Sequence, residues 1–197
     1  METIFLTGMA VFVLSSLYFL TSQKKTFNTA FIVSFVTIVS YTIMWEGRFA
    51  EVSTASVPIF WTRWVFYAIS CTLLTVEISR ILGIEQKKLV QLLYLTALVM
   101  LIGALASYYT GMLMIIFYVL STFVFILLLQ GFLSASSEHK AAVSKYLFLG
   151  WTGFAVIFLF SPEGFGVIDN TIAAGIFLVL DLFTKIAFYI EFKKKGV

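Results

Sequence analysis

Four ionisable residues stand inside stretches too apolar to welcome charge: Arg63, Glu77, Asp181 and Lys185. Each costs roughly 2.5–3.5 kcal/mol at mid-membrane on insertion scales and normally faces a bundle interior with a partner. Asp181 and Lys185 lie four apart in LVLDLFTKIAFYI. That spacing puts them on one helical face with Cβ atoms roughly 6 Å apart. Two chemistries suit such a pair. It can be an ion pair that only neutralises two buried charges. Alternatively, the lysine amine, a flexible nucleophile with a shiftable pKa, forms a Schiff base with a carbonyl ligand while the aspartate serves as counterion. Spacing alone leaves both open. In PIFWTRWVFYAISCTLLTVEISR, residues Arg63, Phe66, Ser70 and Glu77 fall at offsets 0, 3, 7 and 14 and form one stripe. Glu77 lies about 10 Å along the axis beyond Ser70. It also has a plain structural reading: three residues before Arg80, it can snorkel to an interface.

These residues must be positioned by membrane-spanning helices. The 197-residue chain is 61% hydrophobic and 12% charged, with a mean hydropathy of +1.03. Soluble domains carry about 25% charge, so a water-soluble globule is excluded. Seven runs reach the roughly 20 apolar residues that a span needs: 2–21, 28–45, 57–80, 89–109, 112–134, 142–161 and 167–191. They predict an all-α, seven-helix transmembrane bundle, a single domain over 1–197 and a multi-pass cell-membrane protein. Continuous apolar runs, not alternating ten-residue strands, argue against a barrel. Glu2 precedes the first run without a cation or a small-residue cleavage site, so that run is read as a helix and not as a signal peptide.

Ten bases gather on one side of such a bundle: Lys24, Lys25, Arg80, Lys87, Lys88, Lys140, Lys145, Lys193, Lys194 and Lys195. The other side holds Arg48 with Glu2, Glu46, Glu51, Glu163 and Asp169. The positive-inside rule then places the N-terminus outside and the C-terminus in the cytoplasm. A net charge of +3 does not suggest nucleic acid, and one cysteine excludes a disulfide framework. Cys71 reads as a small packing residue and His139, between Glu138 and Lys140, as solvated. No metal cluster, phosphate loop or hydrolase triad stands out, so the chain does not read as an enzyme.

Trp151, Phe154 and Phe158 share one helical face in YLFLGWTGFAVIFLF. Such a stripe is commonly plain packing, but beside a buried lysine it can wall a flat polyene. Three segments now point the same way. LDLFTK resembles the retinal-lysine motif of microbial rhodopsins. Trp151-x-x-Phe154-x-x-x-Phe158 followed by SPEG resembles that family's aromatic cradle and outer loop. Arg63-x-x-Phe66-Tyr67 looks like its third helix. With seven helices, the resemblance covers the whole chain. It implies all-trans retinal bound covalently to Lys185 as a protonated Schiff base, with Tyr67, Tyr118, Trp151, Phe154 and Phe158 forming the pocket. It implies the lipid bilayer and protons as partners, and a homo-oligomer, commonly a trimer.

The departures narrow the resemblance. Phe66 stands where outward proton pumps keep a proton-accepting aspartate, Ser70 where they keep a threonine, and Glu77 where they keep an inner carboxylate. Phe-Ser-Glu is the triplet of schizorhodopsins, a family of light-driven inward proton pumps. Phe154 replaces a tyrosine that commonly bonds the helix 7 aspartate, and Ala155 replaces a proline. Ala173 stands where one of two outer proton-release glutamates belongs, so only Glu163 remains of that pair. The resemblance therefore implies Asp181 as sole counterion, with Arg63 helping to hold its charge and Tyr41 donating a hydrogen bond to it. The proton's exit is then toward Glu77, through transient water beyond Ser70. The rival function is a photosensor that signals without net ion transport; it uses the same lysine and cradle.

Overall fold

The computed structural model describes residues 1–21, 25–47, 51–54 and 58–195. Lys24 and Arg48, which the charge count uses, lie outside the described residues. Among the described residues seven helices are long and apolar enough to cross a membrane. They are α1 (Glu2–Leu20), α2 (Lys25–Trp45), α3 (Trp61–Ile81), α4 (Gln86–Tyr108), α5 (Gly111–Leu133), α6 (Lys140–Phe160) and α7 (Asn170–Lys194). Sequence neighbours pack against each other from α1 to α5, and α7 returns to α1 and α2. Side-chain bonds staple the remaining seams: Tyr118 Oη donates to Ala155 O at 3.3 Å between α5 and α6, and Tyr146 Oη to Glu191 at 2.7 Å between α6 and α7.

Two boundaries differ from the sequence expectation for identifiable reasons. The third helix starts at Trp61, not at 57, because Pro58–Ile59 pairs antiparallel with Glu51–Val52 in a two-residue ribbon. This ribbon is the one β-structure among the described residues. The seventh starts at Asn170, because the Asp169 side chain accepts from Thr171 N at 2.7 Å and Ile172 N at 2.9 Å. That is an N-cap, and it satisfies two backbone donors that the first turn leaves unpaired. α3 ends where Gly83 enters the left-handed region at φ +65°. Its amide bonds Arg80 O and the Ile84 amide bonds Ser79 O, closing the helix with a Schellman turn.

The sequence carries no sign of a further departure. Tyr146–Trp151 in α6 and Leu182–Ala187 in α7 are π-helical. A π-turn adds a residue to the helical register and is frequent at functional sites. These two face each other, and one carries Trp151 while the other carries Lys185. Gly150 allows the approach: a Cβ there would stand 2.2 Å from Thr184 Cγ2. A small residue at a helix crossing lets backbones approach closely, which favours packing within a membrane.

Two apolar clusters fill the bundle. Eighteen buried residues, among them Phe19, Leu128, Phe132, Leu147 and Phe188, form one at the end that carries Lys87, Lys88, Lys140 and Lys193–Lys195, the basic end. Six, including Phe5, Phe12 and Leu178, form a smaller one at the opposite, acid end. The functional cavity lies between them.

Candidate functional site

Lys185 and Asp181 are brought together as an ion pair of 2.8 Å, with their side chains 3% and 1% exposed. One turn of α7 aligns them, and the aspartate's other oxygen accepts from Tyr41 Oη at 3.0 Å and Tyr67 Oη at 3.2 Å. The Lys185 ammonium also sits 4.6 Å from the Tyr67 ring centroid. One ion pair and two hydroxyl donors on the same carboxylate offset the desolvation that an isolated buried charge would suffer. Tyr41 is the donor the sequence points to. Tyr67 lines the cavity as expected, and its hydroxyl also reaches the carboxylate.

Lys185 and Asp181 open onto a cavity bounded by α3, α4, α5, α6 and α7. Arg63, Tyr67, Tyr118, Trp151, Phe154 and Phe158 all line it. Phe158 stacks on Tyr118 with centroids 5.9 Å apart, Phe154 stacks on Phe177 at 5.9 Å, and Trp151 packs edge-on against Phe132 at 6.1 Å. Flat aromatic walls with one buried amine fit a conjugated, otherwise apolar carbonyl ligand such as retinal. Aromatic and aliphatic walls with a few placed polar groups are the usual makeup of such a site.

Phe66, Ser70 and Glu77 do not line the cavity. Apart from Arg63, the cavity face of α3 is Trp64, Tyr67, Cys71 and Leu74, one residue further round than the rest of the charged stripe. One residue is about 100° of rotation. Trp64 and Cys71 are therefore wall residues that the sequence reading did not assign to the site. Their 0, 3, 7 spacing with Tyr67 was available as a signal. Gly103 on α4 makes room for Trp64, since a Cβ there would stand 2.5 Å from the indole ring.

The remaining charges lie toward the two ends of the bundle. Arg63 pairs with Glu163 at 3.7 Å and lies 4.7 Å over the Phe177 ring; among the described residues it makes no ion pair with Asp181. The longer reach to Asp181 is taken by the two tyrosine hydroxyls. Burial pushes the Glu163 carboxyl up from its ordinary value, while Arg63 pulls it down. His139 is not simply solvated: it packs edge-on against Phe192 at 6.2 Å and lies 3.6 Å from Glu138. At the basic end of α3, Glu77 is 5% exposed. It does not snorkel out; Arg80, 47% exposed, reaches in to it at 3.0 Å.

Comparison with known proteins gives a consistent answer. The family model for bacteriorhodopsin-like proteins matches residues 1–190. The crystal structure of schizorhodopsin 4 superposes with a TM-score of 0.91 at 35% identity, covering 96% of this chain and 96% of that one. A bacteriorhodopsin-II-like protein of Haloquadratum walsbyi is 27% identical over 150 residues, 68% of this chain. Bacteriorhodopsin of Halobacterium salinarum is 25% identical over 145 residues, 66% of this chain. The matched region spans 61% and 55% of the length of these two relatives. With its buried lysine in an aromatic cavity among seven membrane-spanning helices, the chain belongs to the bacteriorhodopsin-like family of multi-pass membrane proteins, whose members hold retinal as a Schiff base on a lysine.

Proposed function

We propose that this protein is a light-driven inward proton pump, with the basic end of the bundle in the cytoplasm and the acid end outside. The placement of its buried carboxylates carries the reading. Among the described residues three are buried: Asp181, Glu77 and Glu163. Asp181 already holds the Lys185 ammonium as an ion pair and accepts from the hydroxyls of Tyr41 and Tyr67. That arrangement suits a permanent counterion better than a proton acceptor. At Phe66, on the acid-end side of Ser70, the side chain has no atom that can take a proton. The next carboxylate along α3 is Glu77, toward the basic end. Likeness to schizorhodopsin 4 supports the same direction.

Lys185 would hold retinal, and Tyr118, Trp151, Phe154 and Phe158 would wall it. When bound, that group supplies a light-driven isomerisation that turns the Lys185 Nζ–H away from Asp181. The chain's own residues decide where the proton goes next. Ser70 is fully buried, and Glu77 lies about 10 Å further along the helix. Proton transfer needs contact of about 2.6–3.2 Å or a bridging water. Water must therefore enter between Ser70 and Glu77 for the proton to leave, and Arg80 meets it at the surface beside Glu77. Arg63 stays at the opposite end, paired with Glu163.

A pH electrode in a suspension of expressing cells tests this. Illumination should alkalinise an unbuffered medium, and a protonophore should abolish the signal. Acidification would make the protein an outward pump, and a flat trace in a coloured protein would make it a sensor.

A further inference from the structure

The proposed pump must also take up a proton from the acid end, and no residue discussed so far does so. Two cavities meet there. The one that holds Lys185 is lined at its acid end by Arg63, Glu163 and Phe177. A second, smaller cleft, lined by Phe60, Asn170, Ala173 and Ala174, is bounded by the same three residues. Arg63, Glu163 and Phe177 thus form the partition between the two. Within that partition Glu163 is the group able to gain and lose a proton, since a phenylalanine ring has no titratable atom and a guanidinium does not deprotonate in proteins.

The loop between α6 and α7 holds Glu163 in this partition. Ser161 O accepts from the amides of Gly164 at 3.0 Å and Gly166 at 2.9 Å, and Leu159 O accepts from Phe165 N at 2.7 Å. A Cβ at Gly164 would stand 2.4 Å from the carbonyl oxygens of Phe158 and Leu159, so the fold back over the helix end requires glycine. The turn leaves Glu163 only 9% exposed although it lies in a connecting loop. Its one ion pair among the described residues is with Arg63, at 3.7 Å near the long limit of such contacts. The guanidinium is otherwise engaged with the Phe177 ring. Two opposed influences act on the carboxyl: burial raises its proton affinity and Arg63 lowers it. Its affinity therefore depends on how close Arg63 stands.

We propose that Glu163 is the proton-uptake residue of this pump, passing protons from the acid-end cleft to the Lys185 nitrogen. The proposal rests on the inward-pump reading. In the uptake step the Glu163 carboxylate takes H⁺ from hydronium in the cleft, giving a carboxylic acid and water. In the delivery step the acid's O–H breaks and an N–H forms at the neutral Lys185 nitrogen through bridging water, restoring the carboxylate. No other bond changes and no electrons are transferred.

The test is flash spectroscopy on the retinal-loaded full chain in vesicles, comparing the native protein with Glu163→Gln and Glu163→Asp. Glu163→Gln should keep the dark absorption band. Its recovery of the protonated Lys185 nitrogen should slow by roughly 100-fold, the lower end of what a positioned acid contributes. Azide, a small weak acid that can carry protons into the cavity, should restore the rate. Glu163→Asp, which keeps a carboxyl, should recover within about ten-fold of the native rate. In native protein, light-minus-dark infrared spectra should contain a carboxylic C=O band that changes in step with recovery and shifts in Glu163→Asp. A Glu163→Gln rate within two-fold of native, or a slow rate that azide does not restore, overturns the proposal. So does the absence of that infrared band, which decides the matter even if Glu163→Gln fails to assemble. Native protein that alkalinises the medium while Glu163→Gln recovers normally refutes only this inference; native protein that acidifies it refutes the inward reading and this one together.

Discussion

The two ends of this bundle are built differently. At the basic end eighteen buried apolar residues close around Phe132, Leu147 and Phe188. The buried carboxylate there is Glu77, tied to Arg80. At the acid end the buried cluster has six members, and a cavity and a cleft meet at Arg63 and Glu163. One end is sealed by packing, the other already hollow. On the proposed inward reading, the acid-end partition is where a proton would enter, and passage through the basic end would require a transient opening. For an inward pump this asymmetry is functional: uptake can be continuous, and release is what light must trigger.

Lys185 divides the two ends, and removing it should have the largest effect. Lys185→Ala leaves Asp181 without its cation and the cavity without its amine. After addition of all-trans retinal, no visible absorption band should form. A normal band in this variant would place the chromophore on another residue and dissolve the division between the ends.

Glu77→Gln comes next. The proposed exit requires the carboxylate, so dark colour should persist while inward transport falls by about ten-fold or more. Full transport in this variant would reduce the Glu77–Arg80 pair to a tether at the membrane surface. The initial slope of the light-induced pH change, normalised to absorbance, measures it.

Packing itself offers a sharper contrast. Phe132 is fully buried in the large cluster, and Phe5 is 4% exposed in the small one. Phe132→Ala should lower stability by about 3 kcal/mol, as large-to-small core changes do where the site cannot collapse. Phe5→Ala, beside a thinner core, should cost about half of that. Thermal bleaching midpoints compare them. Equal losses would mean that the acid end is packed as rigidly as the basic end.

Much of this arrangement was legible in the residues. Long apolar runs gave the seven helices because a bilayer leaves few other solutions for the backbone. The i, i+4 spacing gave the Asp181–Lys185 pair, and helix-period aromatics gave Trp151, Phe154 and Phe158. Legibility ended where tertiary contact decides. The charged stripe of α3 is real, yet the cavity faces the neighbouring stripe of Trp64, Tyr67 and Cys71, because helix rotation is set by neighbours such as Gly103. The π-turns of α6 and α7 carry no proline to announce them; they lie where Gly150 and Thr184 approach closely. Arg63 was matched to Asp181 on the family resemblance, whereas its ion pair among the described residues is with Glu163. Sequence distance could not reveal that a glycine turn brings Glu163 nearer.

The smallest effect should come from the ion-pair network that joins α6 to α7 at the basic end. Glu191 accepts from Tyr146 Oη at 2.7 Å and pairs with Lys145 and with Lys195, the latter at 2.9 Å. Lys145 and Lys195 are 42% and 38% exposed and Glu191 25%. Pairs this open to water are each worth about 0.2–1 kcal/mol, because solvent screens them and two long side chains lose freedom. Beneath them, Tyr146 stacks on Phe183 at 4.7 Å and meets Phe188 edge-on at 5.3 Å. If apolar packing seals this end, Glu191→Gln should lower the bleaching midpoint by an amount equivalent to about 1 kcal/mol or less, with the dark colour unchanged. A loss as large as that of Phe132→Ala would assign the seal to charge, and raised salt would then destabilise the native protein as well.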